Sequence, residues 1–563
     1  MPDRRQFLQH GLVAAGLGLT AGLSLRLSGT PPPPPPGGAS NPFLQLPPNP
    51  QSTLVNGIPF APWFTGDDFP DPNSIPFHVA WNGSPPAPTE EVEVAIVGGG
   101  LSGLASAFLL KQHHPVLFDL RPRFGGNALG EKWLGQHASL GSAYFITPDP
   151  GTFLNRFYRR LGLHLVKEEA LPPDPVVING AIQGNFWSGQ GLSPTEQFAF
   201  QRYAAVVTHM AHNAYPEIPL STSPGAAHAV RTLDLVDFRS NVEAQMGVPL
   251  TPLLAAAVQG YFYSSFGVGM EDISAAAGWN FVAAEEFGRW VLPGGNAWMA
   301  HRLWQKLRAV ELARPPSAPP LLRAGARVVD VRRAGPKVLV TWIDDNQQTR
   351  SLLADEVIMA CGKHICRHVL HNLASLDPDK HAAMQRVETM AYVVANVLLD
   401  VPPPLSSYDV FLVENQAFPM TAQAFEAAPR PVDVLNGSFA EQGFPQKSVL
   451  TLYWPLPWFT ARFSLLINDP WQNYASTLVP YLNSVLGMLN VAPSAVRQVR
   501  LSRWGHAMPV ARPNFIADGV PHELLRPFQD HIWFVNQDNW ALPAVENSLL
   551  DAESVTAQVR ENL

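Results

Sequence analysis

The feature that most constrains this chain is a glycine loop set between a strand and a helix. Val92-Glu93-Val94-Ala95-Ile96-Val97 reads as a β-strand and runs directly into Gly98-Gly99-Gly100-Leu101-Ser102-Gly103, a G-x-G-x-x-G pattern. The helical run Leu104, Ala105, Ala107, Phe108, Leu109, Leu110 follows, and His114-Pro115 breaks it. A second strand, Val116-Leu117-Phe118, then ends in Asp119. Each part has a physical use. Gly98 permits the tight turn, Gly100 lets backbone approach a pyrophosphate, and Gly103 allows helix to pack closely on strand. The helix start at Leu101 and Ser102 offers free amides and a positive dipole end to phosphate. Asp119 stands where a carboxylate accepts from ribose hydroxyls. A lone glycine loop is a weak signal; here strand, helix, second strand and acid come in order, which predicts a dinucleotide site in an α/β fold.

The residues after Asp119 narrow the dinucleotide. They read Leu120-Arg121-Pro122-Arg123-Phe124-Gly125-Gly126-Asn127. An acid followed by R-x-R-x-G-G resembles the extended motif of the flavin-containing amine oxidase family, whose relatives include phytoene desaturases and protoporphyrinogen oxidase. That resemblance implies FAD rather than NAD, with Gly125, Gly126 and Asn127 near the diphosphate and ribitol and Arg123 as a phosphate-side arginine. The similarity continues. Ser139-Leu140-Gly141-Ser142-Ala143-Tyr144-Phe145 resembles the family's small-residue turn, and Leu292-Pro293-Gly294-Gly295-Asn296 its PGG segment. Gly325 to Val331 resembles the strand in which the residue at Val328 pairs its backbone with adenine. The stretch from Ile532 to Asp538, with Ala544-Val545 opening a terminal helix, is similar to the last FAD segment. Asn536 and Ser548 stand where the family carries glycines.

The resemblance implies an α/β fold: a Rossmann-like FAD-binding domain (GR2-type) interleaved with an α+β substrate-binding domain. The expected FAD domain comprises 91–150, 290–365 and 500–563; the expected substrate domain comprises 151–289 and 366–499. It further implies a flavin that takes a hydride equivalent from a small molecule held in an aromatic pocket. Trp540 is expected to flank the substrate, with Tyr453, Trp454 or Trp458 as a second wall. Glu285 and Glu286, beside Trp279, Phe281 and the Tyr261–Phe266 cluster, are placed to receive a cation, with Glu286 taken as the acting acid. Relatives carry a lysine near flavin N5; here Asp379 occupies the expected place and Lys380 or Lys363 could serve. The favoured substrate is an amine or amino acid, oxidised at a C–N bond, with O2, a quinone or a redox carrier as acceptor. Two alternatives stay open: a desaturase or isomerase acting on an isoprenoid or lipid, and a flavin-binding partner subunit without catalysis of its own. Non-covalent FAD is expected.

The amino terminus is an address. Asp3-Arg4-Arg5-Gln6-Phe7-Leu8 precedes a short Gly/Ala-rich apolar run from Gly11 to Leu25, which matches a twin-arginine export signal over 1–30. Export predicts a periplasmic or secreted protein that touches membrane only through an uncleaved signal. Residues 31–90 read as a linker and irregular arm, starting with the stiff run Pro31–Pro36. Of 563 residues, 56 are proline, about twice the usual share. With 15% charged residues and a formal net charge of -8, nothing forms the basic face that nucleic acid requires. The chain has two cysteines, Cys361 and Cys366, read as structural thiols, and the histidines near them match no zinc spacing.

Overall fold

The computed structural model describes residues 40–67, 79–414, 429–443, 445–456 and 469–563. The Arg4-Arg5 leader, the Pro31–Pro36 run and Trp458 lie outside the described residues.

The strand Glu91–Val97 alternates exposed and buried residues at its start and is wholly buried from Val94 onward. A run buried on both faces belongs in the middle of a parallel sheet, and that is where it sits. Its neighbours are Val116–Phe118 on one side and Thr349–Met359 on the other, both parallel to it. Leu322–Arg323 extends the sheet beyond Val116–Phe118, and Ile532–Phe534 pairs in parallel with Val357–Met359. Lys337–Ile343 and Arg327–Ala334 continue the sheet beyond Thr349–Met359 as antiparallel strands. Helices Leu101–Leu109, Ala297–Leu312 and Val545–Asn562 carry buried apolar faces into one shared core with Val94, Ile96 and Ile358.

A second sheet has nine strands among the described residues. Its centre is Thr389–Leu399, buried along its whole length, with Ser448–Pro455 and Val496–Pro509 antiparallel on either side. Helices Pro252–Phe266 and Ala275–Ala284 bury against its neighbourhood through Phe262, Phe266 and Trp279. The α/β fold expected from the resemblance is the fold found.

One stretch departs from expectation. Residues expected in an irregular arm form strands Thr53–Val55 and Ile58–Gly66 at the edge of the nine-stranded sheet. Pro59 and Pro62 argue against a strand in sequence. They are tolerated because the ladder to Val496–Pro509 is irregular between Val499 and Leu501, while Phe60 and Phe64 still bury their rings.

Candidate active site

A cleft of about 370 Å³ opens at the carboxyl ends of the parallel strands. This is where ligands bind in open α/β sheets. Gly98, Gly100, Leu101, Ser102, Asp119, Leu120, Arg121, Gly125, Gly126, Asn127, Ser142, Asp538, Ala544 and Val545 all line it, as the sequence predicted for a cofactor site. The geometry explains the glycines. A Cβ on Gly103 would stand 1.8 Å from the Gly98 carbonyl oxygen, so the helix can seat on the strand only with glycine there. Gly98 has φ +113 and faces the Ala360 carbonyl. The two glycine loops face each other: Gly125 N–H donates to the Gly99 carbonyl at 2.8 Å, and a Cβ on Gly100 would meet only Gly126 Cα at 3.8 Å. The cleft floor is therefore bare backbone, and no side chain caps the helix that starts at Leu101. Unblocked backbone at an uncapped helix start is a donor set suited to a diphosphate. At the other end, helix Val545–Asn562 also starts without a side-chain cap, and buried Asn547 Nδ2, at the adjoining cavity, has no hydrogen-bond partner among the described residues. These residues fit an extended dinucleotide such as FAD.

Asp119, expected to accept from ribose hydroxyls, lines the cleft. Its carboxylate already accepts the N–H groups of Gly99 at 2.8 Å and Arg121 at 2.7 Å, which ties the loop together. Burial pushes its pKa up, while Arg121 and those two N–H groups pull it down. Arg121 pairs with Asp67 and lies over the Trp504 ring at 5.2 Å. Asp67, Gly505 and His506 line the same cleft, and the sequence offered no signal for them. Asn536 costs nothing as a replacement for glycine: its backbone is extended, φ -168, and its side chain accepts the Asp538 N–H at 3.0 Å.

A larger cavity, about 490 Å³, adjoins the cleft and shares Asn127, Ser142, Gln537, Pro543, Ala544 and Val545 with it. Tyr144, Phe281, Tyr392, Tyr453 and Trp504 wall it. Tyr453 stands where an aromatic wall was expected: its ring meets Tyr392 edge-on at 5.5 Å, and its hydroxyl donates to the Gly141 carbonyl at 2.6 Å. Gly141 and Ala143 line this cavity rather than the cleft.

Glu285 brings a carboxylate to the cavity. Its Oε1 accepts from the hydroxyls of Tyr144 at 3.0 Å and Tyr261 at 3.2 Å. Its Oε2 is buried, makes no hydrogen bond among the described residues, and is ion-paired with Arg289 Nε at 3.3 Å. Burial raises the Glu285 pKa, and Arg289 is the main influence lowering it. Arg289 is itself buried and also faces Asp174 at 2.5 Å and Asp409 at 3.9 Å. Behind them, Ser264 Oγ donates to Asp433, whose pKa burial raises to about 8. Burial holds Asp409 well above the usual carboxylate range. Several carboxyl groups thus surround one guanidinium, and Glu285 is the member of this cluster that lines the cavity.

Several expectations are corrected. Glu286 is exposed and lines neither cavity; on the tight turn Glu285–Phe287 the acid that points inward is Glu285. Trp540 lines neither cavity: it is buried, and its indole N–H donates to Asp551 at 3.0 Å. A tryptophan six residues before the helix acid packs under the helix instead of over the substrate. Arg123 donates to the carbonyls of Pro42 and Gly130 and stays out of the cleft. Val328 sits in the antiparallel strands opposite Trp342, also outside the cleft. Among the described residues no lysine lines either cavity. Lys380 donates to the carbonyls of Glu523 and Leu524, and burial lowers its pKa to about 7. Lys363 is fully buried and its Nζ has no hydrogen-bond partner among the described residues.

Residues 96–161 match the NAD(P)-binding Rossmann-like domain family. A comparison with curated protein sequences gave no match. Among solved structures, wild-type putrescine oxidase bound to putrescine aligns with a TM-score of 0.60 at 17% identity, covering 84% of this chain and 100% of that one. Cyclohexylamine oxidase from Brevibacterium oxydans aligns with a TM-score of 0.58 at 14% identity, covering 84% and 99%. A CLA-producing fatty acid isomerase from P. acnes aligns with a TM-score of 0.58 at 12% identity, covering 83% and 98%. The likeness at these identities is one of fold. The chain thus carries an NAD(P)-binding Rossmann-like domain within the fold of putrescine oxidase and cyclohexylamine oxidase, the fold that its likeness to the flavin-containing amine oxidases implies.

Proposed function

We propose that this chain is an FAD-dependent oxidoreductase that oxidises the C–N bond of a small amine carrying a second cationic group. The observation that carries the reading is Glu285: a buried carboxylate, held by two tyrosine hydroxyls with Arg289 3.3 Å behind it, that lines an aromatic cavity opening onto the dinucleotide cleft. Gly98, Gly100, Leu101, Ser102, Gly125, Gly126, Ala544 and Val545 would hold FAD, which when bound supplies the hydride acceptor. Glu285 fixes the far cation through charge, and the two tyrosine hydroxyls hold its carboxylate in place. Tyr392, Tyr453 and Trp504 confine the carbon chain and keep water from it. No strong acid or base is needed at the reacting carbon; the neutral amine has only to be oriented. A cavity meant for a lipid or isoprenoid would have no use for an acid at its far end. The Arg4-Arg5 leader supports export of the folded, cofactor-loaded protein to the periplasm or beyond, and cell fractionation tests that part. O2, a quinone and a redox carrier are all open as acceptor. The test of function is direct. Purified protein should be yellow and release FAD on denaturation, identified by mass. Anaerobic addition of short diamines should bleach it, while prenyl lipids should not; bleaching by lipids alone overturns the reading.

A further inference from the structure

The chain has two cysteines, and the fold brings them together at the wall of the cofactor cleft. Cys361 lines the cleft, Cys366 lies fully buried behind it, and their sulfurs are 3.7 Å apart. Both are free thiols. They bracket the turn that follows the central strand Thr349–Met359. That turn builds the cleft: Ala360 N–H donates to Val97 at the glycine loop, and Lys363 N–H donates to the Asp538 carboxylate at 2.8 Å. Lys363 itself sits between the two cysteines in sequence, buried and, among the described residues, with no hydrogen-bond partner on Nζ. A nearby cation favours thiolate.

We propose that Cys361 and Cys366 form a reversible disulfide, with peroxide as oxidant, and that its state is coupled to how tightly the cleft holds its dinucleotide. A disulfide needs sulfurs about 2.05 Å apart, so closure requires each sulfur to move by less than a bond length from its present place. One thiolate attacks hydrogen peroxide, the O–O bond breaks, and a sulfenic acid and hydroxide form. The second sulfur then attacks the sulfenic sulfur and its hydroxyl leaves, taking up a proton. Two thiols and one peroxide become one disulfide and two waters; the two sulfurs are oxidised and the peroxide oxygens reduced. Cys361 is the natural first nucleophile, because it lines the cleft while Cys366 is buried behind it. Peroxide is small enough to enter by the cleft. Drawing the sulfurs together pulls on the turn whose Lys363 amide holds Asp538, and it moves the Cys361 wall. Dinucleotide and disulfide therefore oppose each other, and by linkage each weakens the other to the same degree.

The coupling half rests on the dinucleotide reading of the cleft; the disulfide half does not. The test treats the full-length protein, with its flavin as purified, with hydrogen peroxide. It then counts thiols under denaturing conditions, weighs the peptide spanning both cysteines, and measures flavin released through a filter. The expected result is loss of both thiols and ~2 Da of mass. Dithiothreitol should restore both, and flavin affinity should be weakened about 5-fold or more. Cys361→Ser and Cys366→Ser should each abolish the mass loss and the added flavin release. Independent oxidation of the two sulfurs to sulfinic acids, or disulfides between two chains, overturns the proposal. A clean disulfide with unchanged flavin release overturns the coupling. Protein that contains no flavin yet forms the disulfide would instead refute the dinucleotide reading while leaving the thiol chemistry standing.

Discussion

Replacing Glu285 by glutamine isolates its charge. The amide keeps the shape of the carboxylate, and its oxygen can still accept from Tyr144 and Tyr261. Arg289 would keep Asp174 at 2.5 Å, so the guanidinium is not stranded. What goes is the anion facing the substrate. Two unit charges ~4 Å apart interact by about 4 kcal/mol at an effective dielectric of ~20. The retained amide oxygen recovers part of this, which leaves about 1.5–3 kcal/mol, the worth of a charged over a lost hydrogen bond. That is a rise of roughly 10- to 150-fold in the dissociation constant of a diamine. The assay is anaerobic rapid mixing, with flavin reduction followed against concentration for a diamine and for a monoamine of equal chain length. In the Glu285→Gln protein the diamine should lose affinity by that factor with its limiting rate nearly kept, and the monoamine should hardly change. Equal loss for both amines would mean that Glu285 supports the fold instead of reading the cation, and no loss for either would end its role altogether.

Gly103→Ala places a Cβ 1.8 Å from backbone oxygen, and backbone cannot swing aside. The variant should cost about 1–3 kcal/mol or more and be isolated without flavin, as visible absorbance will show. Trp540→Phe removes a buried donor to Asp551 and should cost about 1–3 kcal/mol in urea unfolding. Its turnover should be near normal; a large loss of turnover at unchanged stability would return Trp540 to the active site. Asp551 is raised by burial to about 6, against the bonds from Asn539 and Trp540. A folded pKa above the unfolded one means that the native state binds the extra proton. Its stabilising effect is therefore complete below about pH 4 and is lost as pH rises through about 6, by roughly 3 kcal/mol. Asp551→Asn should flatten that part of the stability profile.

The dinucleotide half of the site was legible because its signal is local. A strand, three glycines, a helix and an acid follow one another within a short stretch, and backbone sterics dictate the glycines directly. The second glycine pair was equally plain, since Gly125 and Gly126 both need positive φ. The substrate half was legible only to within a residue or so. The pair Glu285-Glu286 was found, but a short turn has no period to say which acid points inward. Trp540 could not be separated from a packing residue, because its partner Asp551 is an ordinary helix residue eleven positions on. Asp67, Tyr392 and His506 reach the site only through the nine-stranded sheet, whose pairing joins residues 58–66 to 496–509 across the chain. Prolines concealed the first of those strands. Cys361 and Cys366 were read as inert because sequence shows their spacing but not the cleft beside them.

The proposed chemistry is hydride transfer to the flavin from a carbon bonded to nitrogen. Anaerobic rapid mixing of the wild-type protein with a diamine, alongside the same diamine carrying deuterium on the carbons next to nitrogen, measures that step alone. Full bleaching of the flavin by both is expected, markedly slower with deuterium. Failure of every amine to bleach the flavin, or bleaching at the same rate with hydrogen and deuterium, would contradict it.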